Sequence, residues 1–168
     1  LRRAIDSDLV DLFSGFTTDK GAAGSALSIA RCAKAISKLR ANKAPNPLYF
    51  VLHPYGWHDI WLELDQPSTN QAFLGDVANQ AMREFYVGNW MAAQWFISAN
   101  IDVDDDDDAV SGCFHREALA LDTRKPPTLE PERDASKRAW ELNLYAWYAV
   151  GERRDSYGVG LTHDATEP

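Results

Sequence analysis

The chain has 168 residues, 45% of them hydrophobic, 25% charged and 11% aromatic, with a formal net charge of −8. These values exclude a disordered or collagen-like polypeptide and fit one domain, or one domain with a small lobe. Most of the negative charge is local: residues 102–108 read DVDDDDD, and without those six aspartates 17 basic residues face 19 acidic ones.

The first sixteen residues, LRRAIDSDLVDLFSGF, place Leu1, Ile5, Leu9, Leu12, Phe13 and Phe16 at steps of three and four, which predicts a helix. No capping residue precedes Leu1, so the pattern opens in mid-helix and leads us to expect further sequence upstream. Ser25 is the expected cap of a second helix over 26–41, with Ile29, Ala33 and Ile36 on one stripe and Lys34, Lys38 and Arg40 near its end, where cations suit the helix dipole. The run LYFVLH, residues 48–53, is bounded by prolines and reads as a buried strand. Pro54 then suits a first helical turn, and Trp57, Ile60, Trp61 and Leu64 share one helix face. Leu74, Val77, Ala78 and Ala81 predict a further helix over 70–83.

The period then changes. FYVGNWMAAQWFIS reads as one strand, or as two joined at Gly88-Asn89. The aspartates are expected to form an extended, solvated loop. AVSGCFHREALALD is β-rich with a part that could be helical, and PPTLEPERDAS reads as a loop. RAWELNLYAWYAVG alternates strictly: Trp140, Leu142, Leu144, Ala146, Tyr148 and Val150 share a face. Tyr157, Val159 and Leu161 lie on a returning strand. Helices come first and long strands last, which predicts an α+β fold.

Few residues suggest chemistry. No phosphate loop, dinucleotide fingerprint, nucleophile elbow or HExxH is present. His53, His58 and Asp59 offer nitrogen and oxygen donors for a metal, but their spacing matches no standard ligand set. His115, Arg116 and Glu117 lack a nearby nucleophile and read as an exposed polar strand end. Asp102, Asp104, Asp105, Asp106, Asp107 and Asp108 lack the glycine and terminal glutamate of a calcium loop. Cys32 and Cys113 have no CxxC spacing and read as buried reduced thiols, which with the absence of a leader pattern predicts synthesis in a reducing cytoplasm. Basic residues form pairs, not the stripe that nucleic-acid binding needs, and no apolar run approaches the roughly 20 residues of a membrane-spanning helix. Trp90, Trp95, Trp140 and Trp147 sit in strands with aromatics on both faces. Such strands are covered on both sides, either within the one domain or by neighbouring subunits, and the second cover makes these four the candidate subunit contacts.

Taken in order, these segments resemble the major capsid proteins of tailed bacteriophages, whose shell fold is shared with encapsulins. RAIDSDLVDLFSGF is similar to the end of that family's spine helix. GSALSIARCAKAISKLRANKAPNPLYFVLHPYGWHDIWLEL is similar to the helix, strand and helix of its axial domain. FYVGNWMAAQWFIS, AVSGCFHREALALD and the C-terminal strands follow in the family's order, while its N-terminal arm and extended loop have no counterpart here. The resemblance implies a peripheral spine-helix end over 1–18, an axial domain over 19–130 and long peripheral strands over 131–168. It implies a structural, non-catalytic subunit without cofactor. Copies would form pentamers and hexamers of an icosahedral virion shell around double-stranded DNA, with cement or portal proteins as further partners and no membrane. An encapsulin-like shell and a small metalloenzyme built on His53, His58 and Asp59 stand as alternatives.

Overall fold

The computed structural model describes residues 2–65, 88–134 and 136–167. Helix α1 (Arg2–Val10) continues as a 3-10 turn over Asp11–Gly15, so the expected single helix tightens in its last turn. Phe13 and Phe16 are thereby turned onto the sheet, where both are buried. The sheet makes room with glycine: a Cβ on Gly112 would sit 2.7 Å from the Phe13 ring.

Helix α2 (Ile29–Ala41) begins three residues later than its sequence suggests. Ser28, not Ser25, is the cap, its side chain accepting the Arg31 N–H at 3.3 Å. Residues 26–28 are drawn out of the helix because Leu27 is buried and its amide donates to Asp59 Oδ2 at 2.9 Å. The Ile29 amide donates to Glu63 Oε2 at 2.7 Å, so two carboxylates of the next helix satisfy the start of α2. The buried stripe is Cys32, Ala35, Ile36 and Leu39.

Strand β1 (Leu48–Leu52) and helix α3 (Pro54–Asp65) follow as expected, with Trp57, Ile60 and Leu64 buried and Trp61 half-buried. The helix expected over 70–83 lies outside the described residues. Strands β2 (Asn89–Trp90) and β3 (Ala93–Ile97) are joined at Met91-Ala92, not at Gly88-Asn89. Both turn residues have positive φ (52° and 59°), the geometry that matches the twist of a two-residue hairpin.

Strands β4 (Asp108–His115), β5 (Leu119–Asp134), β6 (Ala139–Glu152) and β7 (Gly158–Asp164) complete the chain. Among the described residues the strands form a five-stranded sheet in the order β2-β3-β1-β4-β7 and a two-stranded ribbon, β5-β6. One expectation is corrected here. PPTLEPERDAS is no loop, since its residues up to 134 belong to β5. β7 is an edge of the larger sheet, paired with β4, and its Val159 and Leu161 are buried beneath α2.

The five-stranded sheet is covered on both faces. Leu48, Phe50, Leu52, Trp95, Cys113 and Leu161 meet α2 and α3 on one face. Val10, Phe13 and Phe16 pack on the other, toward Val51, Val110 and Phe114. Ribbon β5-β6 leaves this body and, among the described residues, has no third strand.

Candidate assembly interface

Strict alternation gives the ribbon two unlike faces. Arg133 pairs with Trp140, Pro131 with Leu142 and Leu129 with Leu144, then Leu121 with Val150 beyond two register shifts. This face is apolar and open: Leu129, Trp140, Leu142 and Leu144 are 55%, 68%, 64% and 54% exposed. The opposite face pairs Glu132 with Glu141, Glu130 with Asn143, Thr128 with Tyr145 and Lys125 with Trp147. There the Lys125 ammonium lies 4.1 Å from the centre of the Tyr145 ring and 2.6 Å from its hydroxyl, which in turn donates to Glu130. Trp147 stands beside Lys125 on this polar face and is 65% exposed. Exposed apolar strips of this kind occur at protein, membrane or ligand contacts.

At its base the ribbon is tied to α1, where the Tyr148 hydroxyl donates to Asp8 Oδ2 at 2.6 Å. That bond to a carboxylate holds the phenol above its ordinary pKa. Asp6 on the same helix accepts from Asn100 at 2.5 Å and from Ser98 at 3.4 Å, anchoring α1 to the segment after β3.

The four tryptophans expected to touch neighbouring subunits separate into two pairs. Trp90 and Trp95 are buried in this chain's own core, so they offer no surface. The Trp95 ring lies between Phe50, 4.0 Å away and nearly parallel, and Trp90, 4.5 Å away. Its Nε1 donates to the Trp90 carbonyl at 3.0 Å. Trp140 and Trp147 are the exposed pair.

The aspartate run is a tight turn and not an extended loop. Asp104 Oδ1 accepts the amides of Asp106 and Asp108 at 3.0 and 2.8 Å, and Val103 bridges to Ala109. Asp108 is buried and accepts the Gly24 amide at 2.7 Å. Asp102, Asp104, Asp105, Asp106 and Asp107 are exposed. Neighbouring carboxylates add to partial burial in raising the pKa of Asp11 beside the turn.

His53, His58 and Asp59 do not converge. Asp59 is turned to the Leu27 amide, the His58 ring lies over Trp61 at 6.2 Å, and His53 packs edge-on against Tyr55. Among the described residues no group of three His, Cys, Asp or Glu side chains is placed to hold a metal. His115 is not at an exposed strand end. It is buried under the edge of Tyr157, and its Nδ1 accepts the Glu117 amide. Both cysteines are buried, and desolvation pushes the Cys32 thiol up to about 12.

No local pattern announces the pair Ser111–His163, with Oγ and Nε2 2.9 Å apart. Nucleophile and base stand at hydrogen-bond distance, but both side chains are fully buried, which leaves a substrate no approach. Fifty-two positions separate them, so no spacing rule would have joined them.

The architecture is a helix-flanked five-stranded sheet carrying an exposed β-ribbon. It is the α+β shell fold of phage major capsid proteins, shared with encapsulins, as expected from the order of segments. A structure from Mycobacterium phage Che8 superposes with TM-score 0.74 at 19% identity, over 95% of this chain and 58% of that one. The mature capsid of bacteriophage PhiM1 gives 0.64 at 16%, over 99% and 62%. The holo-SrpI encapsulin complex of Synechococcus elongatus PCC 7942 gives 0.58 at 10%, over 99% and 62%. The chain thus spans about three fifths of the length of these proteins. No family model and no curated protein matches it in sequence.

Proposed function

We propose that this chain is a structural subunit of an icosahedral virus shell, built from pentamers and hexamers of one polypeptide around double-stranded DNA. The observation that carries this reading is the open apolar face of β5-β6 on a chain with the shell fold. Four large apolar side chains more than half exposed on one ribbon face are costly in water, and burial against further protein removes that cost. The five-stranded sheet with α2 and α3 takes the axial role. The ribbon with α1 takes the peripheral role and spans toward adjacent copies, with Trp140 and Trp147 among its contacts.

On this reading the subunit works by geometry and needs no catalytic group or cofactor. It resides in the virion after synthesis in the host cytoplasm, and portal or cement proteins meet the finished lattice. Outside the aspartate turn the chain is nearly neutral, so an inner wall of such subunits holds DNA weakly and lets it spool. Negative-stain microscopy of the purified full-length product tests the proposal. Closed particles with internal DNA are expected, and a dispersed monomer at high concentration overturns it. The likeness to the encapsulin complex supports a second reading, a shell around protein cargo, which the contents of the particle distinguish.

A further inference from the structure

The chain is electrically polar along a diagonal of its sheet. Between Lys20 and His53 it has no acidic residue. Lys34, Lys38, Arg40 and Lys43 line the outer side and the C-terminal end of α2, and among the described residues none of them forms an ion pair. Cations suit a helix C-terminus whatever they meet, so their position alone identifies no partner. The complement is in the same polypeptide: the aspartate turn, with Asp105, Asp106 and Asp107 directed to solvent.

The two patches cannot meet within one chain. The turn adjoins Val10, Asp11 and Ser14, on the sheet face that carries α1, whereas α2 covers the other face. They also lie at opposite ends of β4. Asp108 opens β4 beside the turn, and Phe114 pairs with Gly158 near the C-terminus of α2. There Asn42 Nδ2 donates to the Ser156 carbonyl at 2.7 Å and the Tyr157 hydroxyl to the Lys43 carbonyl at 3.4 Å. The length of β4, roughly 25 Å at strand rise, separates the turn from Arg40 and Lys43 at the C-terminal end of α2 and exceeds the screening length at ordinary salt.

The geometry points to a head-to-tail contact in which the aspartate turn of one copy lies against the basic side of α2 in the next. This rests on the shell reading above and deepens it. Two different patches meeting make a heterologous contact, which closes into rings when the rotation per copy is right. Opposite charges fix its register and reject the reverse pairing, turn on turn or helix on helix. It sets each patch against its opposite, although every copy in the ring keeps its net charge of −8. A phosphate backbone laid on α2 would leave the aspartates uncompensated.

The test uses full-length protein. Lys38→Cys chains and Asp106→Cys chains, oxidised as a mixture, are expected to give a disulfide-linked dimer that neither gives alone, Cys32 and Cys113 being fully buried. Lys38→Glu with Lys43→Glu, and separately Asp105→Lys with Asp106→Lys, are expected to raise the concentration needed for particles by about tenfold, as a few exposed ion pairs would. All four changes in one chain are expected to restore it. Absence of the mixed dimer overturns the contact. So does a reversed α2 that assembles like wild type, and if that variant also encloses less DNA, the cations face phosphates. Particles without the cross-link leave the shell reading standing and remove this one. Cross-link without particles does the opposite.

Discussion

Ser111 Oγ lies 2.9 Å from His163 Nε2, and neither side chain reaches solvent. His163 Nδ1 is 2.9 Å from the carbonyl of Asp164, which can only accept, so Nδ1 carries the proton and Nε2 accepts from the serine hydroxyl. Ser111 Oγ in turn accepts the His53 amide at 3.1 Å. The chain of bonds ties β1, β4 and β7 together and is complete only with a neutral imidazole.

Acid should therefore weaken the fold through this network. Burial holds the pKa of His163 below its ordinary 6.5, an effect tempered by its own bond to the Asp164 carbonyl and by Asp59, Asp108 and Asp164 nearby. Burial, with His163 as neighbour, lowers that of His53 as well. A depressed histidine stays neutral in the fold while the unfolded chain takes up a proton, so stability is lost as pH falls below 6.5. The melting temperature is expected to drop between pH 7 and 5. A flat profile there would contradict the buried neutral network. Ser111→Ala, which leaves the imidazole nitrogen and the His53 amide without partners, should cost about 1–3 kcal/mol at pH 7.5 in chemical denaturation.

Gly112 is required by the close approach of Phe13. Gly112→Ala places a methyl group 2.7 Å from that ring and should destabilise by about 1–3 kcal/mol through overpacking. Phe13→Ala removes the obstacle and should cost about 3–5 kcal/mol on its own. The double variant is expected to be less destabilised than the sum of the two, as measured by urea unfolding.

The two tryptophan pairs should respond in opposite ways. Trp95→Ala opens a cavity between Phe50 and Trp90 and is expected to cost about 3–5 kcal/mol of folding stability. Trp140→Ser with Leu142→Ser changes exposed positions and should leave unfolding of the isolated subunit within about 0.5 kcal/mol per site. The same pair should abolish particles in sedimentation. Particles that survive it intact would remove the apolar ribbon face from assembly.

Chelation is expected to change nothing. His53, His58 and Asp59 are engaged separately, and Asp104 spends its carboxylate on backbone amides. Assembled particles in EDTA should keep their melting temperature to within a degree or so, and a large fall would place a cation in the structure.

The parts legible in the sequence are those where one local rule acts alone. LYFVLH followed by Pro54 could only be a strand running into a helix, and the Trp57–Ile60–Leu64 spacing marked its buried face. Strand β5 was hidden by Pro126, Pro127 and Pro131, which argue for a loop. Among the described residues β5 pairs with β6 alone, so its outer amides are not needed for a ladder, and proline is tolerated there and at the register shifts flanking Lys125. Alternation also could not say which aromatic strand is covered. Trp90 and Trp95 are buried because a two-residue turn folds them onto one another over Phe50, and Trp140 is exposed because its ribbon stands away from the body. That is a matter of topology, which periodicity does not carry.

The register shifts between Thr123 and Thr128 have a mechanical consequence. Bulges bend a ribbon and break its ladder, and two strands without a third are marginally rigid in water. The joint is thus the place where the ribbon's angle to the globular half is least fixed. In the closed lattice proposed above, one polypeptide would absorb there the unequal curvature around axes of different symmetry.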